Sequence, residues 1–184
     1  MNNYIEWFKK NKITEVECLI PDNSGIPRGK ILPTKKFLSS FESGGLRLPL
    51  HLFKLAVSRS VSYSIDDQLL NPTDGDFILK PDFNTLRVVP WYEEPTAQII
   101  CDAVDSKENE IEVYSRGILK RVINLFNNIG LEPIIAPEIE FYLVKKNNDP
   151  DYPLETPSGQ SGRIEKGNQS YGIDAINEFD HIFE

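Results

Sequence analysis

Between Ile13 and Thr34 the chain spells "ITEVECLIPDNSGIPRGKILPT", and few stretches limit a fold more tightly. Val16, Cys18 and Ile20 alternate with Glu15, Glu17 and Leu19, the period of a strand with one face toward a core. "PDNSG" then turns the chain, and "RGKILP" returns as a second strand. A hairpin here commits the N-terminal part of the chain to a sheet.

The flanking sequence extends that sheet. Residues 3 to 11 (NYIEWFKKN) carry Tyr4, Ile5, Trp7 and Phe8 at helical spacing and end on lysines that suit a helix C-terminus. "KKFLSSFESGG" predicts a short helix stopped by its glycines. Residues 46 to 75 are irregular in pattern, with a Ser-rich strand candidate (LAVSRSVSYSI) and a polar turn (NPTDGD). Three extended pieces follow, "FILKPD", "LRVVPWYE" and "TAQIICDAV", and Pro81, Pro90 and Pro95 argue against long helices among them. Residues 1–105 are therefore expected to form a small mixed sheet with one or two helices, with Trp91 as a packing anchor near its edge or, as a second reading, at an interface.

The polar "DSKENEIEV" marks a boundary, and residues 112–184 are expected to form a second region. In "YSRGILKRVINLFNNIG", Ile118, Val122, Leu125 and Phe126 make one helical stripe, Ser115 is the expected cap and Gly130 closes the end. "KKNNDPDYPLETPSGQSGRIEKGNQ" reads as a long loop. Its "SGQSG" lacks the lysine of a phosphate-binding loop and is read as a flexible crossing. "GIDAINEFDHIFE" turns helical again, with Ile173, Ile176, Phe179 and Phe183 on one face. One helix, one strand, a loop and part of a helix cannot close a core alone. The expectation is a truncated domain, or one completed by a partner chain.

Charge narrows the function. Twenty basic against twenty-eight acidic side chains give −8, which repels nucleic acid and anionic membranes. The N-terminus has no signal-peptide pattern, and no apolar run approaches the ~20 residues that span a bilayer. Cys18 and Cys101 sit in strand-like apolar surroundings and read as reduced, buried thiols of a cytoplasmic protein. His51 and His181 have no ligand-like spacing and read as structural or exposed.

The chemistry concentrates in "IIAPEIEFYLV", residues 134–144. As a strand, it puts Pro137, Ile139, Phe141 and Leu143 on one face and Ala136, Glu138, Glu140, Tyr142 and Val144 on the other. The two carboxylates then stand about 7 Å apart on one side. Spacing alone favours a strand with a solvated face. The sharper alternative is a pair of ligands for hard divalent cations, Mg2+ or Mn2+, which the apolar flanks favour somewhat.

Four ordered stretches resemble one family. "APEIEFYLV" resembles the strand that opens the catalytic domain of glutamine synthetases, and "DNSGIPRGKILP" the turn and second strand of their N-terminal β-grasp domain. "DGDFILKPDFNTLRVVPW…AQIICD" and "GNQSYGIDAINEFDHIFE" resemble further segments, the last most like glutamine synthetase-like and γ-glutamyl-polyamine synthetase members. The resemblance implies an α+β protein: a β-grasp domain over 1–105, then an incomplete catalytic domain over 112–184. It implies ATP-dependent ligation of glutamate to ammonia or an amine through γ-glutamyl phosphate. Glu140 would ligate the metal nearer glutamate, Glu138 the metal bridging the ATP phosphates, and Tyr171 would lie near the amine and glutamate pocket. Full-length members are homo-oligomers.

Two departures matter. Ammonia-using members carry an aspartate in a D-G-S-S segment of the N-terminal domain. Here "AVSRSVSYSIDD" offers only Asp66, Asp67 or Asp76 as candidates, which leaves a larger amine open. The family's remaining metal ligands, glutamate-binding arginines and ATP contacts lie beyond this chain, and Arg116 and Arg163 cannot replace them. The chain alone is expected to be inactive. The alternative is a non-catalytic β-grasp binding or assembly module with a vestigial catalytic segment.

Overall fold

The computed structural model of the chain describes residues 2–40, 43–55, 75–149, 151–164 and 172–182. They fall into two compact units, Met1–Pro133 and Ile134–Glu184.

The first unit is built on the expected hairpin. Strands β1 (Glu15–Pro21) and β2 (Pro27–Pro33) pair antiparallel, Pro21 opposite Pro27. Gly25 supplies the positive φ of +79° at the turn, and its N–H donates to the Asp22 carbonyl. Gly29 has a different role: a Cβ there would collide with the Cys18 carbonyl oxygen, so only glycine allows the strands this approach. At the hairpin tip, the Asn23 amide donates to the carbonyls of Phe53 and Val113, both at 3.0 Å.

The remaining strands are β3 (Leu46–Pro49), β4 (Asp76–Pro81), β5 (Arg87–Val88) and β6 (Thr96–Val104). The path is β2-β1-β6-β4-β3, with β5 also on β6, and among the described residues only the β1–β6 pairing is parallel. β6 is central and buried almost throughout, as its near-continuous apolar sequence requires. Val16, Cys18 and Ile20 are fully buried, as their alternation predicts, in one cluster with Ile99, Cys101, Phe77 and Leu79. Helices α1 (Asn2–Lys10) and α2 (Thr34–Ser40) supply Phe8 and Phe37 to that cluster. Gly44 and Gly45 follow α2 at positive φ, and the Gly45 N–H donates to the Ser40 carbonyl.

Several expectations change. "LRLP" is an ordered edge strand and Leu50–Lys54 a 3-10 turn, where the pattern read as irregular. The Ser-rich candidate strand lies outside the described residues. Of "LRVVPWYE" only Arg87–Val88 is strand, and Trp91 is 65% exposed with its ring beside that of Tyr92, so it anchors no core packing among the described residues. Residues 105–109 form a tight return, with Asp105 accepting from the N–H groups of Lys107 and Asn109, and the Ile111 N–H donating to Ala103.

Helix α3 (Ser115–Asn128) is capped by Tyr114 backbone and has no side-chain cap, so Ser115 is its first residue and not its cap. Tyr114 is buried and packs under Gly117, where a Cβ would strike its ring.

In the second unit, residues 134–144 form no strand. A strand needs a neighbour for its N–H and C=O groups, and among the described residues none flanks it. Both expected faces are exposed: Ile139 at 81% and Tyr142 at 96%. The loop that follows is fastened. Glu178, on α4 (Ile173–Glu178), accepts from the Ser161 N–H at 2.7 Å and from its hydroxyl, and the Gln160 N–H donates to the Glu178 carbonyl. "SGQSG" is thus a pinned turn and not a free crossing.

Candidate functional site

Glu138 and Glu140 are both exposed on the irregular segment. Their separation along the chain leaves them free to act together, but the shared face that a strand would have given them is not formed. Tyr171 lies outside the described residues. Among the described residues, no group of three or more His, Cys, Asp or Glu could hold a metal. Two carboxylates suit a hard cation in kind, yet Mg2+ takes about six oxygen ligands. These residues therefore fit part of a metal site and leave the rest to water or to other donors.

The first unit holds two polar assemblies that sequence periodicity did not single out. One joins α3 to the sheet. Arg116 donates to Asp102 at 2.8 Å and pairs with Asp82, while Lys120 pairs with Asp102. Burial pushes the Asp102 carboxyl up, but hydrogen bonds from Lys120 and Arg116 outweigh it and hold the group below the usual carboxylate range. Beside it, the Tyr114 hydroxyl donates to Glu110 at 2.8 Å, and burial with that bond raises the phenol well above its ordinary value. All the cations here are engaged, so the assembly fixes a helix and does not await an anion. The i, i+4 spacing of Arg116 and Lys120, opposite the apolar stripe, was the signal that could have revealed it.

The other lies on the sheet face away from α1 and α2. Glu17, buried, accepts from the Tyr92 hydroxyl and the Gln98 amide, each at 2.8 Å, and Arg87 donates to Gln98. A shallow cavity of about 290 Å³ opens there between Glu15, Glu17, Ile31, Tyr92, Glu93 and Glu94. Four carboxylates repel a triphosphate, so this is no nucleotide site.

Cys18 and Cys101 are free and buried. A hydrogen bond between them and burial raise the Cys101 thiol, which removes it as a nucleophile at neutral pH. His51 and His181 are exposed, as expected. No helix among the described residues is long and apolar enough to cross a membrane.

Residues 112–184, which contain Glu138 and Glu140, match the family model described as "Glutamine synthetase, catalytic domain". A glutamine synthetase of Methanocaldococcus jannaschii is 32% identical over 152 residues, 81% of this chain and 32% of its own. A glutamate–isopropylamine ligase of a Pseudomonas species is 27% identical over 139 residues, 76% of this chain and 30% of its own. The gamma-glutamylputrescine synthetase PuuA of Escherichia coli is 26% identical over 183 residues, 97% of this chain and 37% of its own. A solved GmaS–ADP complex shares the fold at a TM-score of 0.52 and 18% identity, over 70% of this chain and 26% of that one. The chain spans about a third of the length of the curated relatives it matches.

These likenesses place the chain in a family of ligases. It belongs to the glutamine synthetase family, by its catalytic-domain segment at 112–184 and by relatives that align across most of the chain.

Proposed function

We propose that this chain is the N-terminal portion of an ATP-dependent carboxylate–amine ligase that joins glutamate to ammonia or a small amine. The observation that carries the reading is the catalytic-domain match over 112–184, with Glu138 and Glu140 inside it. Phosphoryl transfer depends mainly on positioning and charge neutralisation. A bound Mg2+ or Mn2+ would neutralise phosphate charge, held by Glu138 on the ATP side and by Glu140 on the glutamate side. Tyr171 would line the amine and glutamate pocket. Relatives named glutamine synthetase support ammonia as acceptor, and those named for isopropylamine and putrescine support a larger amine. A β-grasp reading of the N-terminal domain draws support from the hairpin, the helix after it and the parallel return of β6 beside β1. A cytoplasmic homo-oligomer is the assembly the family reading implies.

Two carboxylates are only part of a divalent site, and the purified 184-residue chain is expected neither to hydrolyse ATP nor to make a γ-glutamylamide. Mn2+ binding, followed by electron paramagnetic resonance, tests the metal roles without requiring turnover. Glu138→Ala and Glu140→Ala should each weaken binding at least about tenfold. The exposure of both glutamates favours a second reading, a non-catalytic module with a vestigial segment. Mn2+ affinity unchanged in both variants would select it.

A further inference from the structure

The chain has two cysteines, Cys18 on β1 and Cys101 on β6, and the ligase reading uses neither. The parallel pairing sets Cys18 opposite Ile99, so Cys101, two residues further on, shows its side chain on the same face. That face is the core. Both thiols are free and fully buried, in one cluster with Val16, Ile20, Ile99 and Ala103. Diagonal neighbours on one face of a sheet have Cα atoms about 7–8 Å apart with their side chains closer, and these two thiols share a hydrogen bond. A disulfide spans Cα atoms up to about 7 Å apart, so closing one asks β1 to shift toward β6 by about an ångström.

The two sulfurs are not equivalent. The hydrogen bond to Cys18, together with burial, keeps the Cys101 proton in place, so Cys101 is the donor of the pair. Burial also selects what can react. A molecule as small as hydrogen peroxide needs only a local opening of the sheet to reach the thiols, whereas a bulky thiol or disulfide needs a far larger one.

We propose that Cys18 and Cys101 are a peroxide-responsive thiol pair that closes reversibly into a disulfide joining β1 to β6. Cys18 attacks the peroxide: an S–O bond forms, the O–O bond breaks, and the Cys18 proton leaves with the departing oxygen as water. Cys18 is now a sulfenic acid. The Cys101 sulfur then displaces its hydroxyl, which leaves as a second water with the Cys101 proton. Two thiols and one peroxide thus give one disulfide and two waters. A bond that draws the strands closer than their own spacing is of the labile kind, which a dithiol reductant reopens.

The test treats the folded 184-residue chain with hydrogen peroxide and maps its peptides without reduction. The chain should lose the mass of two hydrogens and yield one peptide joining Cys18 to Cys101, and dithiothreitol should reverse both changes. In Cys101→Ala, the sulfenic acid on Cys18 has no partner and should be trapped by dimedone. In Cys18→Ala, labelling of Cys101 should be at least about tenfold weaker. Circular dichroism checks that both variants fold, and the cross-link in the unaltered chain decides if one does not. A cross-link that forms only in urea, or a disulfide between two chains instead of within one, overturns the proposal. So does equal labelling of the two folded variants, which would place the oxidation in the unfolded chain.

Discussion

Asp22 is a carboxylate that the fold has taken out of water and then surrounded with donors. Burial pushes its carboxyl up, but hydrogen bonds from the Ile26 N–H, Arg28 and the Ser24 N–H outweigh burial and hold it below the usual range. A folded-state value below the unfolded one, near 3.9, means the stabilisation is complete above that pH. It is lost as pH falls through the lower, folded value. Asp22→Asn should therefore cost about 1–3 kcal/mol in urea denaturation at pH 7, and the gap to the parent chain should close below about pH 4. A gap that stays constant from pH 7 to pH 3 would refute this assignment. The turn around Asp22 was legible, because "PDNSG" needs only local chemistry; the role of Arg28 was not, because nothing local states which carboxylate a strand arginine will meet.

At the scale of elements, legibility follows how far each element depends on others. β1, β2 and β6 carry their own period, and the structure keeps them. Residues 134–144 carry a strand's composition, but pairing is a property of two strands, and no partner flanks this one among the described residues. The apolar stripe of α3 was equally legible, while its direction was not: the ion pairs of Arg116 and Lys120 decide that, and their acids come from β6 and the turn after β4. Arg116→Ala should lower stability by about 2 kcal/mol, less than a deeply buried pair would cost because the Arg116 side chain is 23% exposed. Urea melts followed by tryptophan fluorescence measure it, and a loss below about 0.5 kcal/mol would show that α3 is held by packing instead. The metal-ligand reading of Glu138 and Glu140 rests on resemblance, with slight help from their apolar flanks, since their spacing is common and the described residues around them define no closed site.

For the whole molecule, stability should be divided as the contacts are. The sheet of the first unit is paired on both sides of β6, whereas residues 131–144 have neither helix nor strand. In native-state hydrogen exchange, amides of β1 and β6 should exchange at least about a thousandfold more slowly than those of 134–144. Comparable rates would mean that the second unit builds a sheet of its own. The parallel pairing of Glu15–Leu19 with Thr96–Ile100 has a further consequence, for the chain as it is made. The strand synthesised first receives its central neighbour only after residue 100 has left the ribosome, several seconds later at roughly 5–20 residues per second. Until then Val16, Cys18 and Ile20 have the hairpin but not the core, and that interval is when a chaperone has most to protect.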